Sequence, residues 1–198
     1  MLNLNSSEKN CNNISSGSSE VNRKIALLIL LVFVAVPVGV YLYIQNKWVI
    51  KPLPLGSKIP SVTLSSVNGD SAETDALITK KTVLIFFTTS CEHCKAEIAA
   101  MNSLYPEFKD AIDFFGISLN TRNETVEFVI EHHMAFPVFF DTTGVAKRQF
   151  RIVVVPASYY ISRQKKLLKY RAGEQHKDSL RKTLATFATL SNDSLSVL

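Results

Sequence analysis

The chain has 198 residues, a length that suits one domain plus an attachment. Hydrophobic residues make up 46% and charged residues 20%, which are ordinary globular values, and seven glycines and seven prolines exclude a collagen-like or low-complexity architecture. Three cysteines are too few for a disulfide-stapled mini-protein, and an excess of five basic over acidic residues is too mild for a nucleic-acid-binding protein.

The amino-terminal segment, residues 1–24, contains six serines and six asparagines and almost nothing that could form a core. Such a composition cannot offset the entropy lost on ordering, so this segment is predicted to be a disordered polar tail.

Residues 25–45 are predicted to be a transmembrane anchor. Ile25–Ile44 is a run of twenty residues without a charge, and a helix of that length spans a hydrocarbon core of about 30 Å. A cleaved signal peptide and a buried soluble helix are the alternatives, but the run is long, follows a tail of 24 residues and is apolar on every face. Arg23 and Lys24 adjoin the run, which favours a cytoplasmic tail and places the rest of the chain outside a plasma (inner) membrane.

The remaining chain is predicted to be a linker at residues 46–56, which contains two prolines, a domain at residues 57–190 and a flexible tail at residues 191–198. Strands are predicted at Val83–Phe87, Ile112–Ile117, Phe136–Phe140, Ser158–Ile161 and Leu167–Tyr170, and helices at Cys94–Lys109, Glu124–Met134, Gly144–Phe150 and Lys177–Leu190. Alternating strands and helices that end in a hairpin indicate an α/β fold, a mixed central sheet flanked by helices.

The predicted terminal hairpin is rich in basic residues, namely Arg163, Lys165, Lys166, Lys169 and Arg171. They fit a solvated strand pair whose charges protect a sheet edge, and contact with anionic lipid head groups is the alternative.

The segment that predicts a reaction is a CxxC motif, in which Cys91 follows a predicted buried strand and Cys94 lies in the first turn of a predicted helix. Free amide groups and the helix dipole stabilise a thiolate at that position, and the spacing lets the second thiol close a disulfide within one turn. The motif therefore predicts thiol exchange in which Cys91 attacks and Cys94 resolves the mixed disulfide. Half of a zinc site and a structural disulfide are the alternatives, although zinc requires two further ligands.

Around this motif the chain resembles the thioredoxin superfamily, in particular its membrane-anchored TlpA/ResA-like branch, which borders on the AhpC/TSA redoxins. The likeness covers about residues 53–190 and rests on Leu55–Leu64 followed by Asn68 and Gly69, on the CEHCKAE segment, and on VVPA at residues 154–157. Val155 stands where thioredoxins carry threonine, and Ser90 where these families usually carry tryptophan, so substrate specificity is expected to differ.

The resemblance implies roles for three further residues. Pro156 is expected to be a cis-proline packed against the active site, and Glu97 a partly buried carboxyl that tunes or shuttles protons for the thiols. His93 precedes the second cysteine as in disulfide-forming enzymes, where a charged imidazole stabilises the thiolate of the first cysteine. Glu97 resembles the reducing branch and His93 the oxidising one, so the redox direction stays open.

Two other activities on the same fold are alternatives. Peroxiredoxins place threonine three residues and proline seven residues before the reactive cysteine; Thr88 fits the first position, but Leu84 occupies the second. Copper chaperones of this fold typically use CxxxC, which differs from the spacing between Cys91 and Cys94.

The predicted protein is therefore a single-pass membrane oxidoreductase that exchanges disulfides with exported proteins outside the cytoplasm, without a cofactor other than its own redox-active disulfide. The resemblance implies reduction of cysteines in apocytochrome c or another exported protein, with electrons from a membrane electron-transfer partner. No nucleic-acid partner is expected.

Overall fold

The computed structural model describes residues 15–48 and 51–190. The chain separates into two compact units, Met1–Ile50 and Lys51–Leu198. The predicted tail at residues 191–198 and the remaining cysteine, Cys11, lie outside the described residues.

The first unit contains helix α1, Ser15–Trp48. Its segment Asn22–Ile44 has a mean hydropathy of 2.9 and is, by length and composition, the one candidate membrane span among the described residues. The helix begins ten residues before the predicted start of the anchor and ends three residues into the predicted linker. Residues 15–24 are therefore helical, whereas the sequence analysis predicts disorder for them. Extending an existing helix costs far less than starting one, and residues 15–24 contain no proline that would stop it.

The second unit is an α/β domain built on seven strands and five helices among its described residues. Its strands are β1 Thr63–Ser66, β2 Ser71–Glu73, β3 Lys81–Phe87, β4 Ile112–Ser118, β5 Val138–Phe140, β6 Ala157–Ile161 and β7 Leu167–Ala172. Its helices are α2 Thr74–Leu77, α3 Glu92–Phe108, α4 Arg122–Glu131, α5 Val145–Gln149 and α6 Lys177–Thr189.

The strands form one mixed sheet in the order β2-β1-β5-β4-β3-β6-β7. Strand β3, which leads to the CxxC motif, lies inside the sheet, parallel to β4 and antiparallel to β6. The turn between β1 and β2 contains Gly69, whose φ of 102° is accessible to glycine and costly for other residues. This is the opening hairpin that the resemblance implied.

Both faces of the sheet are covered, as the continuous apolar run in β3 predicts. Val83, Ile85 and Phe87 point into a cluster that includes residues of α3, α4 and α6. Leu84 and Phe86 point into a second cluster, which includes residues of α5 and of the segment before β1. Since successive side chains of a strand face opposite sides, the two clusters lie on opposite faces of the sheet.

Each strand and helix predicted after residue 80 is present, with ends displaced by up to three residues. The predicted helix Glu124–Met134, for example, is α4, which begins at Arg122 and ends at Glu131. His133, just beyond its end, adopts a φ of 47°, which the helix cannot continue through. The four-residue helix α2 has no counterpart in the predicted pattern.

Candidate active site

The CxxC motif lies where β3 ends and α3 begins. Cys91 is the N-cap residue of α3, in extended conformation, and its sulfur accepts a hydrogen bond from the backbone N–H of Cys94 at 3.2 Å. A sulfur in this position lies next to the free amide groups and the positive end of the helix dipole, which favour a thiolate. Both cysteines are free thiols in the structure.

The two thiols differ in their surroundings. Cys91 is partly exposed, whereas Cys94 is completely buried. Burial, followed by the hydrogen bond with Cys91, raises the pKa of the Cys94 thiol to about 12, although a backbone hydrogen bond from Thr88 acts in the opposite direction. Negative charge at Glu97 contributes to the same increase. Cys94 therefore keeps its proton at neutral pH.

The peptide bond between Val155 and Pro156 is cis, as the resemblance implied. The thiol of Cys91 lies against this loop and donates to the carbonyl oxygen of Val155 at 3.9 Å. Val153 and Val154, which precede it, are exposed apolar residues. The sulfur of Cys91 is therefore bordered by a loop that carries a backbone carbonyl and exposed apolar side chains.

Glu97 is buried, with 1% of its surface exposed, one turn beyond Cys94 on α3. Its carboxylate accepts hydrogen bonds from the Ser158 hydroxyl at 2.8 Å, from the Gln175 backbone N–H at 3.2 Å and from the Gln175 side-chain amide at 3.3 Å. The same amide donates to the Tyr160 hydroxyl at 3.3 Å. Desolvation raises the pKa of Glu97, and the hydrogen bonds from Ser158 and Gln175 partly oppose that increase.

His93 has a different environment from the one that Glu97 occupies. Its side chain is 76% exposed, and its Nδ1 lies 2.7 Å from a carboxylate oxygen of Glu174. Glu174 precedes Gln175, so one short segment before α6 contacts both His93 and Glu97. The structure places Glu174 as the partner of this imidazole, and His93, inside the motif, lies on the exposed surface of α3.

Four residues around the motif were missed in the sequence analysis, namely Ser158, Tyr160, Glu174 and Gln175. Ser158, Gln175 and Glu174 lie 61 to 81 positions along the chain from the α3 residues that they contact, and Tyr160 joins them through Gln175. The polar Ser158 in an otherwise apolar strand is the one local signal that pointed to this cluster. Along residues 15–48 and 51–190, no three histidine, cysteine or acidic side chains form a group that could hold a metal ion.

Comparison with known proteins identifies the family. The model of the AhpC/TSA family matches residues 55–170. The chain belongs to the AhpC/TSA family. Among individual members, a thiol-disulfide oxidoreductase ResA from Bacillus thuringiensis subsp. konkukian is 26% identical over 82% of this chain and 95% of its own length.

Solved structures share the fold of this AhpC/TSA-family domain. The thioredoxin domain of a thiol-disulfide oxidoreductase from Bacteroides vulgatus superposes with a TM-score of 0.61 at 21% identity, covering 69% of this chain and 99% of that domain. The peroxidoxin BcpB from Mycobacterium tuberculosis superposes with a TM-score of 0.62 at 20% identity, over 70% of this chain and 99% of that protein. At such identities the likeness is one of fold.

These comparisons confirm the predicted thioredoxin-like fold, the likeness to ResA and the assignment as an oxidoreductase of the thiol-disulfide class. The two cysteines of the motif lie together at the site, as such chemistry requires.

Proposed function

We propose that the protein is a membrane-anchored thiol-disulfide oxidoreductase whose domain acts outside the cytoplasm on cysteines of exported proteins. The apolar span Asn22–Ile44 supports the anchor, and Arg23 and Lys24 at its start support a cytoplasmic amino terminus. The likeness to ResA over nearly its whole length supports the activity. Exported proteins, apocytochrome c among them, are the proposed clients, and a membrane electron-transfer partner restores the redox state of the motif.

The observation that carries this proposal is the difference in exposure between the two sulfurs. A client disulfide can reach the partly exposed Cys91 but not the buried Cys94. In the reducing direction, the Cys91 thiolate attacks one client sulfur, the client S–S bond breaks, and the other client sulfur leaves as a thiolate and takes up a proton from solvent. Cys94 then loses its proton and attacks the Cys91 sulfur, which releases the second client thiolate and leaves a Cys91–Cys94 disulfide.

Glu97 is proposed to accept the proton that Cys94 loses. The thiol of Cys94 has a pKa of about 12 and is shielded from water, so its attack requires an internal base. Glu97 is a buried carboxyl, and its charge acts on this thiol. A carboxylate whose pKa is raised is a stronger base than an ordinary one.

His93 and Pro156 are proposed to support the same step. A protonated His93, held by Glu174 at 2.7 Å, adds positive charge near the start of α3 and favours the thiolate of Cys91. The loop at Pro156 is proposed to align the client backbone beside Cys91, since the Val155 carbonyl lies next to that sulfur.

The test is a redox titration of the full chain in detergent against glutathione and dithiothreitol buffers, with the dithiol fraction measured by thiol labelling and mass spectrometry. A reversible two-electron couple is expected, and Cys91→Ser and Cys94→Ser must each abolish it. A potential near about −270 mV indicates a reductase, whereas one near about −120 mV indicates a disulfide-forming role. Absence of any reversible couple in the unmodified chain contradicts the proposal.

A further inference from the structure

A concave region lies on the face of the sheet opposite to α3. It is a cleft of about 600 Å³, lined by Leu53, Lys58, Pro60, Val145, Arg148, Gln149 and Arg151. Phe150 and Ile152, on either side of Arg151, pack into the core cluster of that face, whereas Cys94 packs into the cluster of the other face. The cleft is therefore separate from the thiol site.

Three cations line this cleft without a carboxylate to balance them. Within the described part of the chain, Lys58, Arg148 and Arg151 have no acidic group at ion-pair distance. Asp75 attracts Lys58 only from a greater distance, because its carboxylate binds Lys165 at 2.7 Å. Like charges around one concavity repel one another, and a bound anion removes that repulsion.

The two guanidinium groups keep most of their donors available. Within the described residues each makes one side-chain hydrogen bond, and both bonds are long: Arg148 donates to the Thr143 carbonyl and Arg151 to the Lys51 carbonyl, at 3.4 Å each. A guanidinium carries five N–H donors in a planar fork that matches the oxygens of a phosphate group. Guanidinium groups with free N–H donors on a concave surface are suited to a ligand that has several oxygens and a negative charge.

Arg151 occupies a backbone position that favours glycine. It follows the end of α5 with a φ of 55°, and its N–H donates to the Arg148 carbonyl while that of Ile152 donates to the Lys147 carbonyl. This is the Schellman arrangement, whose left-handed residue is usually glycine because a side chain there is disfavoured. The chain thus carries a guanidinium into the cleft at a position where stability alone favours glycine.

We infer that this cleft binds the phosphate group of an anionic ligand through Lys58, Arg148 and Arg151. A phosphorylated lipid head group and a soluble phosphate share that chemistry. The basic hairpin is less suited to the same role, since Lys165 is neutralised by Asp75.

The test uses native mass spectrometry of the full chain released from detergent micelles. Three probes are titrated separately: inorganic phosphate, dioleoyl phosphatidylglycerol, and dioleoylglycerol, which has the same acyl chains without the phosphate. Arg151→Gly removes the guanidinium while giving the backbone the residue that its conformation favours. Arg181→Gln is the matched control, because Arg181 is a surface arginine that pairs with Glu107 at 3.2 Å on the other face of the sheet.

The unmodified chain is expected to bind one phosphate-bearing probe saturably and to bind dioleoylglycerol at least about tenfold more weakly. Arg151→Gly should weaken the phosphate-bearing probe about tenfold, the usual loss for one charge-assisted hydrogen bond, and Arg181→Gln should not. Saturable binding of phosphatidylglycerol alone identifies a lipid source, and binding of inorganic phosphate a soluble one.

Equal binding of dioleoylglycerol and phosphatidylglycerol, with no binding of phosphate, overturns the inference. So does phosphate or phosphatidylglycerol binding that Arg151→Gly leaves unchanged, since lipid on α1 would behave in that way. The thermal midpoint of Arg151→Gly must equal or exceed that of the unmodified chain. If that variant does not fold, Lys58→Gln supplies the same comparison, with the same roughly tenfold loss expected.

Discussion

The hydroxyl of Ser158 offers a way to test Glu97 without altering Glu97 itself. This hydroxyl donates to the buried carboxylate at 2.8 Å, and Ser158→Ala removes the donor while leaving the two hydrogen bonds from Gln175. A hydrogen bond to a charged group contributes about 1.5–3 kcal/mol, and about 1.4 kcal/mol corresponds to one pH unit. Because this bond lowers the pKa of Glu97, its loss should move the pH profile of the Cys94 step to higher pH by about one unit or more.

The assay follows Cys94 directly. In a Cys11→Ser background, Ellman's reagent attaches thionitrobenzoate to Cys91 with release of one equivalent, and the attack of Cys94 then releases a second equivalent, whose rate is measured against pH. Ser103→Ala is the control, because the Ser103 hydroxyl is exposed on the same helix and donates to the backbone carbonyl of Ala100 in the preceding turn. A profile for Ser158→Ala that coincides with those of the unmodified chain and of Ser103→Ala would refute the role of Glu97 as proton acceptor.

Three further predictions concern the same site. His93→Gln should lower the alkylation rate of Cys91 by iodoacetamide by a factor of about two to five, a small effect because His93 is largely exposed, and an unchanged rate would contradict the proposed support of the thiolate by this imidazole. In a Cys91→Ser variant, Cys94 should react with iodoacetamide at about pH 8 at least about a hundredfold more slowly than an unstructured cysteine, since its thiol is completely buried and burial is the largest cause of its raised pKa; a comparable rate would place it at the surface. Because burial raises the pKa of Glu97, the folded state binds this proton more tightly than the unfolded chain, so the free energy of unfolding should fall as pH rises from the ordinary carboxyl range toward neutrality. Glu97→Gln should flatten that fall in urea unfolding followed by circular dichroism, and an unchanged slope would contradict the assignment.

The strands and helices that were predicted correctly are those whose pattern of apolar residues lies within a single strand or helix. The apolar run Val83–Phe87 is long enough to predict a strand buried on both faces, and the spacing of apolar residues in α3 and α6 predicts their buried stripes. The early start of α1 was missed because the serines and asparagines of residues 15–24 have low helix propensity, whereas propagation from the apolar run overrides that preference.

At the site, the positions of Cys91 and Cys94 follow from a strand, a turn and a helix that are adjacent in sequence. The partners of Glu97 and His93 could not be predicted in that way. Ser158 is brought under α3 by the pairing of β6 with β3, and Glu174 by the return of the chain after β7. Apart from the polar Ser158 in an apolar strand, the sequence contains no local signal for such distant contacts, so the partners of Glu97 became visible only in the folded chain.

If Cys91 attacks a client disulfide and Cys94 resolves the intermediate, that intermediate can be trapped when Cys94 is absent. The full-length Cys94→Ser variant, reduced and mixed with a disulfide-bonded client protein, should accumulate a mixed disulfide that peptide mass spectrometry locates at Cys91. Adducts at Cys94 in the Cys91→Ser variant, or no adduct in either variant, would contradict the account.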